Sequence, residues 1–261
     1  SGSLALSNGK FFASLRAAHA AARCFEPGWV ATGEHPPYGV LAVRGEDSLL
    51  VAPGEYINLL QPGRAARGGE PIAILARRDV AIPQEGWWMT WSAIGPAAEE
   101  GMRRIYWNCG PEAVQPLIRR ITEAAGNARA RYTLKCPASP LLFGRRDGTV
   151  LYFSKRDWPA LREPLERIHR ALAPSLKDAT PPMTFRLGRG AALVEDPANG
   201  HSFGQTVSSA VASGILEALS LGEADLDTRT AILASRMRAL GISPERPYAG
   251  GPPSEIEWRA W

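Results

Sequence analysis

Four short segments carry polar side chains at alternate positions, and their types define the chemistry open to this chain. In RRIYWNC (103–109) they are Arg104, Tyr106 and Asn108. In YTLKCP (132–137) they are Thr133 and Lys135. In RRDGTVLYFS (145–154), Arg145 and Arg146 stand at the entrance and Tyr152 lies within. In TFRLGRG (184–190), Arg186 and Arg189 flank a bend. Side chains alternate between the two faces of a strand, so each set shares a side. The planar fork of arginine binds carboxylate and phosphate, but arginine cannot give up its proton in a protein, whereas lysine can. Of the 30 basic residues only four are lysines, Lys10, Lys135, Lys155 and Lys177. Lys135 is thus a candidate base set in a strand beside arginines suited to an anion. Pattern alone leaves a second reading open, the wet side of a half-exposed antiparallel sheet.

Histidine offers less. His19 and His169 fall in amphipathic helical patterns, and His35 precedes two prolines in a loop. His201, in GHSFG, comes just before a helix for which Ser202 is a candidate N-cap. A helix N-terminus favours anions, so His201 and Ser202 join the candidate site.

The elements that must position these groups follow from periodicity. Residues 9–24 read as an Ala-rich helix stopped by Pro27 and Gly28. Residues 39–53 read as a hairpin around Gly45-Glu46-Asp47, and 61–71 as a mobile Gly- and Arg-rich loop. Strands follow at EPIAILARRDVAI, GWWMTWS and RRIYWNC. Apolar residues at 114, 117, 118 and 121 make 111–128 an amphipathic helix. Further helices are expected at 158–174, 202–219 and 227–241, with strands at 131–136, within 145–154 and within 183–197. Strands and helices mix without strict alternation. The expected fold class is therefore α+β, with largely antiparallel sheet flanked by helices. One domain over 1–261 is expected, with a strand-rich half at 4–110 and a second half at 111–261 holding most of the motifs. Ser1-Gly2-Ser3 reads as a tag remnant.

Composition excludes several classes. The net charge is +4 with no block of like charges, which argues against a nucleic-acid partner. No apolar run approaches the ~18 residues of a membrane span. Cys24, Cys109 and Cys136 are widely spaced without a CxxC, so neither a disulfide framework nor a zinc site is expected, and a reduced cytoplasmic setting fits. There is no Walker loop, GxGxxG, HExxH or GxSxG. No metal or other cofactor is expected.

The segments YTLKCPASPLLFGRRDGTVLYF and ALVEDPANGHSFGQ together resemble the HopA-type family of type III effectors. Relatives in that family serve as stand-alone dehydration lyases of class V lanthipeptide and thioamitide biosynthesis. The resemblance rests on motifs in order: Lys135; Arg145 and Asp147; Val150, Leu151 and Tyr152; Glu195, Asp196 and Pro197; Ser202, Phe203 and Gly204. RIYWN (104–108) fits upstream, and the match spans roughly 28–220. Departures from the family pattern are His201 ahead of Ser-Phe-Gly and TVSS after Gln205. The family is distantly similar to phosphothreonine lyases, which remove phosphate by β-elimination. Those enzymes use a strand lysine as base, an upstream Lys-x-His with the histidine as acid, and arginines on the phosphate.

Carried over, the resemblance implies a phosphothreonine-lyase-like fold with Lys135 as base. Arg104-x-Tyr106 stands at the Lys-x-His position, so Tyr106 becomes the acid, with His201 or His35 as other sources of the proton. Arg145 and Tyr152 would bind phosphate. The alternating segments themselves offer Arg104, Arg146, Arg186, Arg189 and Asn108, and the helix start offers Ser202, as further phosphate or substrate ligands. The implied partners are a phosphorylated ribosomal precursor peptide and a separate kinase-like protein that makes it. The implied products are dehydroalanine and dehydrobutyrine. Two other classes stay open: a phosphopeptide-binding module without turnover, and a secreted effector acting through host protein contacts.

Overall fold

A computed structural model describes residues 2–20, 25–36, 39–76, 78–82, 86–97, 101–196, 201–222, 225–249 and 259–261. The chain is α+β and forms two compact units, one of residues 20–78 and one of 1–19 with 79–261. The expected halves, 4–110 and 111–261, divide the chain differently, because 79–110 forms strands of the larger unit's sheet.

The smaller unit is an antiparallel sheet of five strands: β1 (Phe25–His35), β2 (Gly39–Arg44), β3 (Asp47–Val51), β4 (Tyr56–Asn58) and β5 (Pro71–Leu75). Their order is β3-β2-β1-β5-β4. The expected hairpin is β2–β3, closed by Arg44 opposite Asp47, with Gly45 at φ +60° where only glycine is unstrained. Trp29, Ala31, Val40, Ala42, Ile72 and Ile74 form its core. The loop expected to be mobile is instead tied down. Glu70 accepts hydrogen bonds from the Asn58 side chain and the Arg67 backbone, both at 2.8 Å, and pairs with Arg64.

The larger unit begins with α1 (Gly2–Ala18), which starts earlier than expected, while 21–24, including Cys24, lie outside the described residues. Seven strands follow: β6 (Asp79–Ile82), β7 (Trp87–Trp91), β8 (Met102–Trp107), β9 (Tyr132–Pro137), β10 (Thr149–Ser154), β11 (Phe185–Gly188) and β12 (Ala191–Glu195). They pair antiparallel throughout in the order β11-β12-β8-β10-β9-β7-β6. The helices are α2 (Pro111–Asn127), α3 (Trp158–Leu172), α4 (Phe203–Ser220) and α5 (Leu226–Ala239).

Alternation sorts this sheet into two faces. One presents Trp88, Ile105, Trp107, Leu134, Leu151 and Phe153, all fully buried. The apolar stripes of α2 (Val114, Leu117, Ile118, Ile121) and α3 (Leu161, Leu165, Ile168) pack there. Each such side chain contributes about 1.5–3 kcal/mol of burial, so this face anchors the fold. Among the described residues, the other face is covered only in part. Phe203 and Val207 of α4 pack on Tyr106, Val150 and Val194. A capping box fixes the start of α4. The Ser202 hydroxyl accepts from the Gln205 N–H (3.2 Å), and the Gln205 side chain accepts from the Ser202 N–H (3.0 Å). Gly214 lets α5 approach, since a Cβ there would sit 3.0 Å from the Cα of Leu233.

Candidate active site

The partly covered face is where the alternating polar residues converge. Lys135 on β9 stands across from Val150 on β10, which stands across from Tyr106 on β8. In the next row Thr133, Tyr152 and Arg104 are neighbours in the same way. β7 continues both rows beyond β9, bringing Met89 beside Lys135 and Trp91 beside Thr133. Trp87 lies on this same side.

These strands and the first turn of α4 enclose a cavity of about 470 Å³. The sheet supplies Arg104, Tyr106, Lys135, Val150, Tyr152 and Trp87. The turn ahead of β10 supplies Arg145 and Asp147, and the start of α4 supplies Ser202, Gly204, Gln205 and Ser208. Six of the twelve candidate residues thus meet in one place: Lys135, Tyr106, Arg104, Arg145, Tyr152 and Ser202.

Each cation is held by a specific partner. The Lys135 ammonium lies 4.2 Å from the centre of the Trp87 ring, and the Arg145 guanidinium lies 5.7 Å from the same ring. Arg145 donates through Nε and Nη2 to both oxygens of Asp147, at 2.9 and 2.8 Å. Arg104 donates through Nε (2.8 Å) and Nη2 to Oδ2 of Asp196, and stacks 4.9 Å over Tyr152. Each arginine therefore turns its Nε–Nη2 edge to a carboxylate. The opposite edge of the fork points away from that partner and suits an anion.

The titratable groups are pushed in different directions. The hydrogen bonds from Arg145 hold the Asp147 carboxyl below its ordinary value against partial burial. Burial raises the Asp196 carboxyl, and Arg104 opposes it only in part. Burial likewise raises the Tyr106 phenol well above its usual value, with Arg104 the main opposing influence. Tyr106 therefore keeps its proton at neutral pH and is available as a hydrogen-bond donor.

The remaining candidates lie elsewhere. Arg146 is exposed and lines an adjoining groove rather than this cavity. Asn108 follows the end of β8 and is buried, with its amide donating to the Ala179 carbonyl at 2.8 Å. It holds the 178–179 segment and does not share the cavity with Arg104 and Tyr106. Arg186 is exposed and pairs with Asp178. Arg189 donates to the Leu176 carbonyl at 2.9 Å, while its own carbonyl meets the His169 ring at 3.0 Å. His201 is exposed, next to Ser202 but outside the cavity lining, and His35 is in the other unit. Two cavity residues, Asp147 and Trp87, and the Arg104 partner Asp196 were missed by alternation within single segments. Asp147 and Asp196 sit two residues from Arg145 and directly after Glu195, inside motifs already noted. Trp87 becomes a neighbour only through the pairing of β7 with β9.

The model of the HopA1 effector protein family matches residues 82–249, a span that holds every residue of the cavity. The chain belongs to the HopA1 effector protein family. Its fold is similar to that of an effector protein from Pseudomonas syringae pv. tomato strain DC3000. The TM-score is 0.51 at 16% identity, and the match covers 66% of each chain, just under two thirds of that protein's length. An effector protein from Pseudomonas syringae pv. syringae strain 61 aligns with a TM-score of 0.40 at 15% identity, over 64% of this chain and 63% of that one. No curated protein sequence matches the chain. Among the described residues, no helix is long and apolar enough to cross a membrane.

Proposed function

We propose that this HopA1-family chain is a lyase that eliminates phosphate from phosphoserine or phosphothreonine in a ribosomal precursor peptide. The observation that carries the reading is one cavity holding Lys135 with Arg104, Arg145 and Tyr106. The Lys135 amine takes the α-proton of the phosphorylated residue. The electron pair of that C–H bond becomes the Cα=Cβ double bond as the Cβ–O bond breaks. Phosphate departs with the bonding pair, and the residue left is dehydroalanine or dehydrobutyrine. The two arginines meet the charge on the leaving phosphate, and fixed positive charge placed there is a large part of such catalysis. The protonated Tyr106 hydroxyl donates either to the leaving oxygen or to the carbonyl on which enolate-like charge develops. Elimination is redox-neutral and balances with these groups alone. A separate kinase-like protein supplies the phosphorylated peptide, in a cytoplasmic setting.

A second reading is favoured by the family itself, whose name and solved neighbours are those of effector proteins. On that reading the chain acts through contacts with a host protein, or, as a phosphopeptide-binding module, holds phosphopeptide in the cavity without turnover. Mass spectrometry of a phosphorylated precursor peptide mixed with the protein separates the two. The lyase removes one phosphoric acid and Lys135→Ala stops it. Intact phosphopeptide after incubation with the wild type would overturn the lyase and leave the binding reading.

A further inference from the structure

A second cavity of about 700 Å³ opens from the first and shares Tyr106, Arg145, Asp147, Gly204 and Ser208 with it. Its character is different. One wall is Pro181, Pro182 and Met183, and the other is the α4 stripe Val207, Val211 and Ile215. Those positions recur at helical spacing with Gly204 and Ser208, so the groove runs along one side of α4. Ile215, at its far end, is 54% exposed, an apolar side chain left in water. The cations of the combined space cluster at one end, where Lys135, Arg104, Arg145 and Arg146 stand, and the far wall is apolar.

A ligand complementary to this shape carries an anion at one end and apolar side chains along the rest. Positions 204 to 215 of α4 cover roughly 16 Å at ~1.5 Å per residue. That length accommodates about five residues of extended chain. We infer that the groove binds the substrate peptide next to its phosphorylated residue and selects apolar side chains within about five positions of it. This rests on the proposed lyase reading, because it assigns the phosphate to the Arg–Lys cavity. The groove would then be the specificity site of the enzyme, formed by Val207, Val211 and Ile215 with Pro181 to Met183.

The test uses the full chain and synthetic phosphothreonine peptides. One set carries Ile, Leu or Val at two to five positions before the phosphothreonine, a second set after it, and a third has Ser throughout. Elimination is followed by mass spectrometry, and binding by fluorescence anisotropy of the same peptides. Apolar residues on one side are expected to raise kcat/KM by roughly tenfold or more over the Ser peptide. Ala212→Glu and Ile215→Asp, at exposed positions on the groove, bring the ratio of kcat/KM between the apolar and Ser peptides down toward one. Equal turnover of all three sets overturns the groove and leaves the lyase standing. So does a preference that survives both substitutions. If no peptide is eliminated, the lyase reading fails and anisotropy decides the groove. Tighter binding of an apolar set, lost in Ile215→Asp, supports it, and equal affinities overturn it.

Discussion

Arg103 and Arg104 are consecutive in β8 and point to opposite faces of the same sheet. Each meets an acidic partner from the end of β12, Glu195 for Arg103 and Asp196 for Arg104. The pairs look equivalent, but their surroundings differ. Arg103 is sealed in the helix-covered core, 1% exposed and 5.8 Å over the Trp158 ring. Arg104 stands over Tyr152 at the wall of an open cavity with Lys135 and Arg145. Burial is the largest influence on both guanidinium groups and it lowers Arg103, with Glu195 in opposition. At Arg104 it is outweighed by Asp196 with Tyr152 and Tyr106, and the value rises. The identity of a charged pair thus does not reveal its use. What separates a structural pair from a candidate anion site is open volume beside it.

The comparison can be broken by removing each side in turn. Glu195→Ala strands a buried guanidinium and is expected to cost about 3–5 kcal/mol of stability. Urea unfolding measures it, and the fraction that stays folded should turn over phosphopeptide at the wild-type rate. Arg104→Met is expected to act on the chemistry. Loss of one fixed charge at the leaving group lowers elimination roughly 10²–10³-fold, measured as single-turnover phosphate release on folded protein. If Arg104→Met only destabilises, the two arginines have the same role and the contrast fails. Trp87→Leu removes the ring against which Lys135 and Arg145 rest. A cation–π contact contributes about 0.5–2 kcal/mol, so phosphopeptide affinity should fall by a few fold to tens of fold, read by anisotropy.

A finer contrast lies between the two aspartates of the cavity arginines. Carboxyl-carbon NMR should show Asp196 titrating above the ordinary aspartate range and Asp147 below it. The signs of their linkage to stability follow. Asp147, lowered on folding, adds stability that is complete above its unfolded pKa and is lost as pH falls through the lowered value. Asp196, raised on folding, costs stability at neutral pH, and the cost fades as pH falls through the raised value. Titration of both in the ordinary range would contradict the described burial of Asp196 and the grip of Arg145 on Asp147.

Local pattern carried much of this arrangement. The period-two alternation of YTLKCP marks residues 132–137, and β9 has those bounds with Lys135 on the cavity face. The 3.6-residue period of 111–128 gives α2 its buried stripe, and Ser202 caps α4 as expected. Strand pairing was beyond reach, because it joins residues far apart in sequence. Trp87 is 48 positions from Lys135, yet β7 and β9 are hydrogen-bonded neighbours. The reverse error affects Arg186, whose β11 lies four strand spacings from β9, or roughly 19 Å at ~4.8 Å each. Asn108 failed for a different reason. Alternation was extended past the last residue of β8, where the chain turns and the amide serves a carbonyl. The four lysines show the same limit. Lys10 and Lys155 are exposed and Lys177 donates to the Phe143 carbonyl, so only location separates Lys135 from the rest.

The central claim is that Lys135 acts by losing its proton and not merely by carrying charge. Lys135→Arg tests this directly, since it keeps a cation beside Trp87 that cannot be deprotonated. Elimination from a phosphothreonine peptide should fall roughly 10²–10⁴-fold, the usual contribution of a positioned base, while phosphopeptide affinity by anisotropy stays close to wild type. Elimination by Lys135→Arg at the wild-type rate would contradict the account.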